Sequence, residues 1–236
     1  RIQGQARSSQ CAGLFSYFCF ARRARSRWAL RLVHLPFASD IAAFVAADRA
    51  APPPPCQTLF VGSSSIRMWS TLANDMAPRS VINRGFGGST IADVNRYFAD
   101  IVAPYRPSAI VFYAGDNDIN DGVAADDVVS AFTRFMAMKD AALGETPVYF
   151  ISLKPSPARW TQIDRQSAVN AAIAAMAAAR VDLVYVDVAS PMTPAGSPGD
   201  FYVEDGLHMN AAGYAIWTEA LNAALAAPAE TRAPHC

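Results

Sequence analysis

The feature that most constrains this chain is an alternation. Five short apolar segments, at 58–61, 80–83, 109–114, 148–152 and 183–188, are rich in β-branched and aromatic residues. Each precedes a longer segment with helical character, at about 65–74, 91–102, 125–142, 162–178 and 210–226. Short apolar runs of this kind suit strands covered on both faces. Five strand–helix units in succession predict a parallel, doubly wound five-stranded sheet with right-handed crossovers, in a three-layer α/β/α sandwich. In such sheets ligands bind beyond the carboxyl ends of the strands. Polar motifs placed directly after strands are therefore the ones to read for chemistry.

The 236 residues fit one such domain with an irregular terminus. Residues 1–36 show no clear period and carry clustered arginines, and are expected to form a poorly ordered N-terminal extension to a domain at 37–236. A capped apolar pattern at 39–49 predicts a short helix, and Pro52 to Pro55 a stiff extended lead-in. The apolar stretch 13–21 is too short to span a bilayer. Its basic run, 22–27, follows it, the reverse of the order in a secretory signal. Neither a signal peptide nor a transmembrane helix is expected, and the compartment reading leans to cytoplasmic. Twenty basic and twenty acidic residues give zero net charge, which favours neither nucleic acid nor an anionic membrane. The cysteines, Cys11, Cys19, Cys56 and Cys236, form no C-x-x-C pair and have no metal-ligand spacing, so no disulfide is expected from them. With only His34, His208 and His235, no multi-histidine metal site is expected.

Five stretches carry candidate chemistry. The first apolar segment runs into Gly62, then Ser63, Ser64, Ser65 and a helix. Glycine permits the sharp turn and serines cap helices. A helix start also offers free N–H groups to developing negative charge, so a serine there is equally a possible nucleophile. Asn83-Arg-Gly-Phe-Gly-Gly-Ser-Thr90 follows the second segment. It is either a tight glycine turn or a place where backbone N–H groups approach a ligand, and it matches neither nucleotide-binding glycine pattern. Gly115-Asp-Asn-Asp118 follows the third, with Asn117 either an amide donor to an oxyanion or a helix cap. Asp205-Gly-Leu-His208 spaces a carboxylate and an imidazole for one turn, as in the base–orienter half of a triad, although a lone histidine is often only a packed polar group. Lys154-Pro-Ser-Pro-Ala-Arg-Trp160 follows the fourth segment. There Trp160 is a candidate to stack on a sugar or aryl ester, and Arg159 or Lys154 to meet an anionic group. The alternative is a rigid proline loop with a packed tryptophan.

In order and spacing, four of these stretches resemble the blocks of the GDSL-type, or SGNH, hydrolases: a Gly-Asp-Ser nucleophile turn, a glycine turn, a Gly-x-Asn-Asp loop and an Asp-x-x-His near the C-terminus. The resemblance runs from about Thr58 to the end and implies the flavodoxin-like SGNH hydrolase fold. Laying Gly62-Ser-Ser64 on Gly-Asp-Ser makes Ser64 the nucleophile. Ser63 stands where the family usually has aspartate, which leaves Ser63 and Ser65 as alternative registers. Trp69, at a position often apolar in the family, supports Ser64. The resemblance further implies an oxyanion hole from the Ser64 and Gly88 N–H groups and the Asn117 amide, with His208 as base and then acid and Asp205 orienting it. The implied activity is hydrolysis of carboxylic esters through an acyl-enzyme, without metal or other cofactor. The absence of a long apolar insertion that would form a lid favours short acyl, including acetyl, esters. The expected partner is a small-molecule ester, with no nucleic acid and no stable membrane insertion. The alternatives are a lysophospholipase or thioesterase of the same family, or a non-catalytic α/β binding domain.

Overall fold

The computed structural model describes residues 35–226. Residues 1–34, on which the expected extension falls, lie outside the described residues, as do Cys11, Cys19 and Cys236.

The chain enters through α1 (Ala38–Ala50), with Asp40 in its first turn and Arg49 in its last, both favourable to the helix dipole. The strands are β1 (Thr58–Gly62), β2 (Val81–Gly85), β3 (Ala109–Tyr113), β4 (Val148–Ile151) and β5 (Leu183–Val186). All pair in parallel, in the order β2-β1-β3-β4-β5. Between and after them come α2 (Ser64–Arg67), α3 (Leu72–Asp75), α4 (Ile91–Arg96), α5 (Phe98–Ile101), α6 (Asp116–Asn120), α7 (Ala125–Leu143), α8 (Ile163–Ala178) and α9 (Ala211–Ala226). This is the expected doubly wound sheet with helices on both faces.

The period-2 alternation of strand side chains sorts the core into two halves. Phe112 of β3 meets Phe132 and Phe135 of α7 and Phe150 of β4. Its neighbour Tyr113 points to the opposite face and packs on Trp217 of α9. Phe60 of β1, on that same face, packs on Trp69, which in turn meets Tyr214 and Trp217. Phe60, Trp69, Phe112 and Trp217 are all buried; Phe60, Trp69 and Trp217 meet edge to face, and Phe112 makes tilted and stacked contacts.

The expected helix at 65–74 is broken. A turn carrying Trp69 and Thr71 separates α2 from α3, and Asp75 Oδ2 accepts from both Trp69 Nε1 and Thr71 Oγ1, each at 2.6 Å. The expected helix at 91–102 is divided at Tyr97, whose backbone leaves the helical region (φ −100°, ψ 12°). The short helix α6 was not foreseen, because five mostly polar residues carry no apolar period. One expectation is corrected outright: Cys56 is disulfide-bonded. Pairing follows proximity in space, which cysteine spacing along a chain does not report. Among the described residues, no helix is long and apolar enough to cross a membrane.

Candidate active site

The carboxyl edge of the sheet gathers the motifs. The connections from β1 to β2 and from β1's other neighbour β3 onward run in opposite directions, so the ends of β1 and β3 flank the switch point where clefts open in such sheets.

At the end of β1, Gly62 has φ +140°, and a Cβ there would lie 1.9 Å from the Tyr113 carbonyl oxygen. Only glycine fits, because β3 passes so close. Ser63 N–H donates to the same oxygen at 2.9 Å, which fixes the turn. Ser64 then opens α2, and none of the described hydrogen bonds engages its N–H, as expected for a first-turn donor. Ser63 and Ser65 are 3% and 4% exposed, whereas Ser64 is half-buried.

The histidine arrives on a tight hairpin. Tyr202 and Met209 form an antiparallel bridge, Val203 N–H donates to the His208 carbonyl at 2.9 Å, and Gly206 takes the left-handed backbone its turn needs (φ +63°). Asp205 Oδ1 accepts from the Leu207 and His208 N–H groups at 2.8 and 2.9 Å. Its Oδ2 lies 2.5 Å from His208 Nδ1, and His208 Nε2 lies 3.0 Å from Ser64 Oγ. The bond to the His208 ring, then the two backbone N–H groups, hold the Asp205 carboxyl down at about 2. It is therefore a carboxylate across the neutral range and keeps the imidazole proton on Nδ1, leaving Nε2 as the nitrogen that faces the serine.

The fourth-strand motif supports this hairpin. Lys154 is buried, and its Nζ donates to the Leu207 carbonyl at 2.7 Å. Burial pushes its ammonium down to about 8. Ala158 N–H donates to the Gly206 carbonyl at 3.0 Å, and Tyr202 hydroxyl donates to the Pro155 carbonyl. Lys154, a candidate to meet an anionic substrate group, is instead turned inward, with its Nζ on that loop carbonyl and over the Tyr202 ring.

The glycine turn continues the β1–β2 pairing by one bond, Phe86 N–H to the Gly62 carbonyl at 2.9 Å. Gly88 is exposed with φ +84°, and its N–H is engaged by no described hydrogen bond. Thr90 then caps α4 in a capping box with Asp93. Asp118 reaches back to the same helix start, taking Ile91 N–H at 3.2 and 3.1 Å through its two oxygens. Its burial pushes the carboxyl up to about 6. Asn117 Nδ2 donates to the Ser89 carbonyl at 3.0 Å, and its Oδ1 accepts from Arg159 Nη2 at 3.0 Å. Arg159 Nη1 meets Asp116 Oδ2 at 2.7 Å, and Gln166 Nε2 donates to Asp116 Oδ1 at 2.8 Å. The guanidinium expected to face an anionic substrate group is thus taken up by two side chains of α6. Trp160 is half-buried and lines a crevice with Pro155, Ser167, Ser190 and Thr193; no triad residue lines it.

Ser64, His208 and Asp205 are therefore brought together, and Asn117 joins the turn that carries Gly88. Asp116 and Gln166 escaped the sequence reading. Asp116 meets Arg159 and Gln166 across tens of residues, and the sequence trace of the ion pair is an acid after β3 and a base after β4, on neighbouring strands. Among the described residues, no three His, Cys, Asp or Glu side chains cluster as metal ligands would.

Comparison with known proteins places these observations. The model of the GDSL-like lipase/acylhydrolase family matches residues 56–216. No curated protein sequence matches the chain. Among solved structures, a GDSL-like lipase from Bacteroides thetaiotaomicron is similar at TM-score 0.69 and 22% identity, over 78% of this chain and 96% of that one. A carbohydrate esterase of family 3 from Talaromyces cellulolyticus gives TM-score 0.58 and 20% identity, over 72% and 96%. A variant of an acetyl-xylooligosaccharide esterase from Geobacillus Stearmophilus gives 0.61 and 12%, over 73% and 95%. At these identities the likeness is one of fold.

Proposed function

The chain belongs to the GDSL-like lipase/acylhydrolase family, and from that premise we propose that it is a serine esterase acting on short-chain, principally acetyl, esters. The observation that carries this reading is the relay Ser64 Oγ to His208 Nε2 at 3.0 Å and His208 Nδ1 to Asp205 Oδ2 at 2.5 Å.

Serine is a weak nucleophile until a base removes its proton. In the proposed reaction Ser64 Oγ attacks the ester carbonyl carbon while its proton passes to His208 Nε2. The carbonyl oxygen becomes an oxyanion, received by the N–H groups of Ser64 and Gly88 and by the second Nδ2–H of Asn117. Donors preset for that charge stabilise the transition state more than the ground state. The tetrahedral intermediate collapses, the C–O bond to the alcohol breaks, and the alcohol leaves with the proton from His208. Water then attacks the acyl-enzyme, gives a proton to His208, and releases the acid as Ser64 recovers its own. Every group these steps require is a side chain or backbone amide of this chain.

The acyl preference is supported by the lack of a long apolar insertion and by the acetyl and carbohydrate esterases among proteins of like fold. Trp160, beside two serines and a threonine, is a candidate contact for a sugar leaving group. A panel of chromogenic esters of rising chain length, run on the wild type and on Ser64→Ala, tests the reading. Turnover greatest for acetate and abolished in Ser64→Ala is expected. A preference for long acyl chains or thioesters would move the assignment to a lysophospholipase or thioesterase, and no turnover at all to a binding domain.

A further inference from the structure

A carboxamide has two orientations of nearly the same shape, related by a half-turn that exchanges its oxygen and nitrogen. For Asn117 only one of them offers an N–H to an oxyanion. The Ser89 carbonyl has lone pairs and no proton, and it faces Nδ2 at 3.0 Å. The Arg159 guanidinium has donors and no acceptor, and it faces Oδ1 at 3.0 Å. Both neighbours favour the same orientation, and the two bonds together hold it. In the flipped amide, carbonyl would face carbonyl and NH2 would face guanidinium, and both bonds would be lost. The Ser89 bond occupies one Nδ2–H and leaves the other available.

The guanidinium is itself fixed. Its other arm pairs with Asp116, the two side chains being 11% and 7% exposed. The second oxygen of Asp116 is held by fully buried Gln166 of α8. A planar fork can serve a carboxylate and an amide oxygen at once, whereas an ammonium is a point donor on a flexible stem.

We propose that Arg159 is a positioning residue: it locks the Asn117 carboxamide with its free N–H toward the oxyanion. This rests on the serine-esterase reading above. It differs from a substrate-anion contact, whose loss would raise KM for anionic substrates alone. It differs also from a purely structural clamp, whose loss would lower the melting temperature and spare kcat.

The test is steady-state kinetics of the full chain on an uncharged acetate ester, with Arg159→Ala and Arg159→Lys each made alone and combined with Asn117→Ala. Melting temperatures and fluorophosphonate labelling are followed in parallel. Arg159→Lys retains a cation for Asp116 and guards against loss of fold. Both single variants should lower kcat with KM little changed, by no more than the ~10²–10³ typical of losing one oxyanion donor. In the Asn117→Ala background the same changes at Arg159 should cost less than about twofold, since the group they position is gone. Losses that multiply across the two sites, or a wild-type kcat in Arg159→Lys, would overturn the inference. The underlying reading fails separately, if the wild type is not labelled at Ser64 and Ser64→Ala keeps its turnover.

Discussion

Three hydroxyls follow Gly62, and burial and geometry single out the middle one. Ser63 and Ser65 face the interior, while Ser64 Oγ stands 3.0 Å from His208 Nε2. Ser64→Ala should abolish turnover at an unchanged melting temperature, while Ser63→Ala and Ser65→Ala stay active. A fluorophosphonate adduct located by mass spectrometry at Ser65 would shift the assignment by one residue. For Asn117→Ala a fall in kcat of about 10²–10³, roughly 2.7–4 kcal/mol, with little change in KM is expected. Asn117→Asp should do at least as much harm, by placing a like charge beside the developing oxyanion; a fully active aspartate variant would remove this residue from the chemistry. Ser64, Gly88, Asn117, Asp205 and His208, the candidate site, could be read from the sequence as candidates, because each sits in a short stretch whose residue types and order carry the signal. Asp116, Gln166 and the inward turn of Lys154 could not. Their partners lie on other elements, and a charge written in a loop does not say which way it will face.

Among the elements, α4 and α6 are joined by one carboxyl. Asp118, on α6, caps the start of α4, and burial raises its pKa from the ordinary 3.8 to about 6. A carboxyl that holds its proton more tightly when folded adds stability below about pH 4, and that contribution is lost as pH climbs through about 6. Asp118→Asn keeps an acceptor for Ile91 N–H but has nothing to ionise. The melting temperature of the variant relative to the wild type should therefore rise between about pH 4 and pH 7, and a difference flat over that range would contradict the assignment. The long helices α7, α8 and α9 were read from apolar spacing to within a residue or two. The interrupted pairs α2–α3 and α4–α5 were each read as one helix, since their breaks depend on local backbone turns and on the grip of Asp75, which spacing does not encode.

At the scale of the whole molecule, the two aromatic layers hold the sheet and, on one side, the site. Trp217 is fully buried against Trp69, Tyr113 and Tyr214, and the Tyr214 hydroxyl donates to the Ser65 carbonyl at 3.0 Å, one residue from the proposed nucleophile. Trp217→Ala should cost about 3–5 kcal/mol, measured by denaturant unfolding. Trp217→Phe should cost clearly less, because it keeps an aromatic ring and removes a buried indole N–H that has no partner among the described residues. The parallel, doubly wound sheet and the candidate site's position at its carboxyl edge followed from the alternation of segments, because that alternation leaves few topologies open; the strand order β2-β1-β3-β4-β5 came from the structure. The Cys56 disulfide did not, because it depends on which thiols meet in space. The proposed triad also spans much of the chain: 144 residues separate Ser64 from His208. During synthesis the serine turn therefore emerges without a base, and β2 to β5 must all be made before His208 can reach it. A nascent chain halted anywhere before that hairpin carries an unactivated serine. On the proposed mechanism, hydrolytic competence would arrive in time, as in space, with one of the later segments of the domain to leave the ribosome.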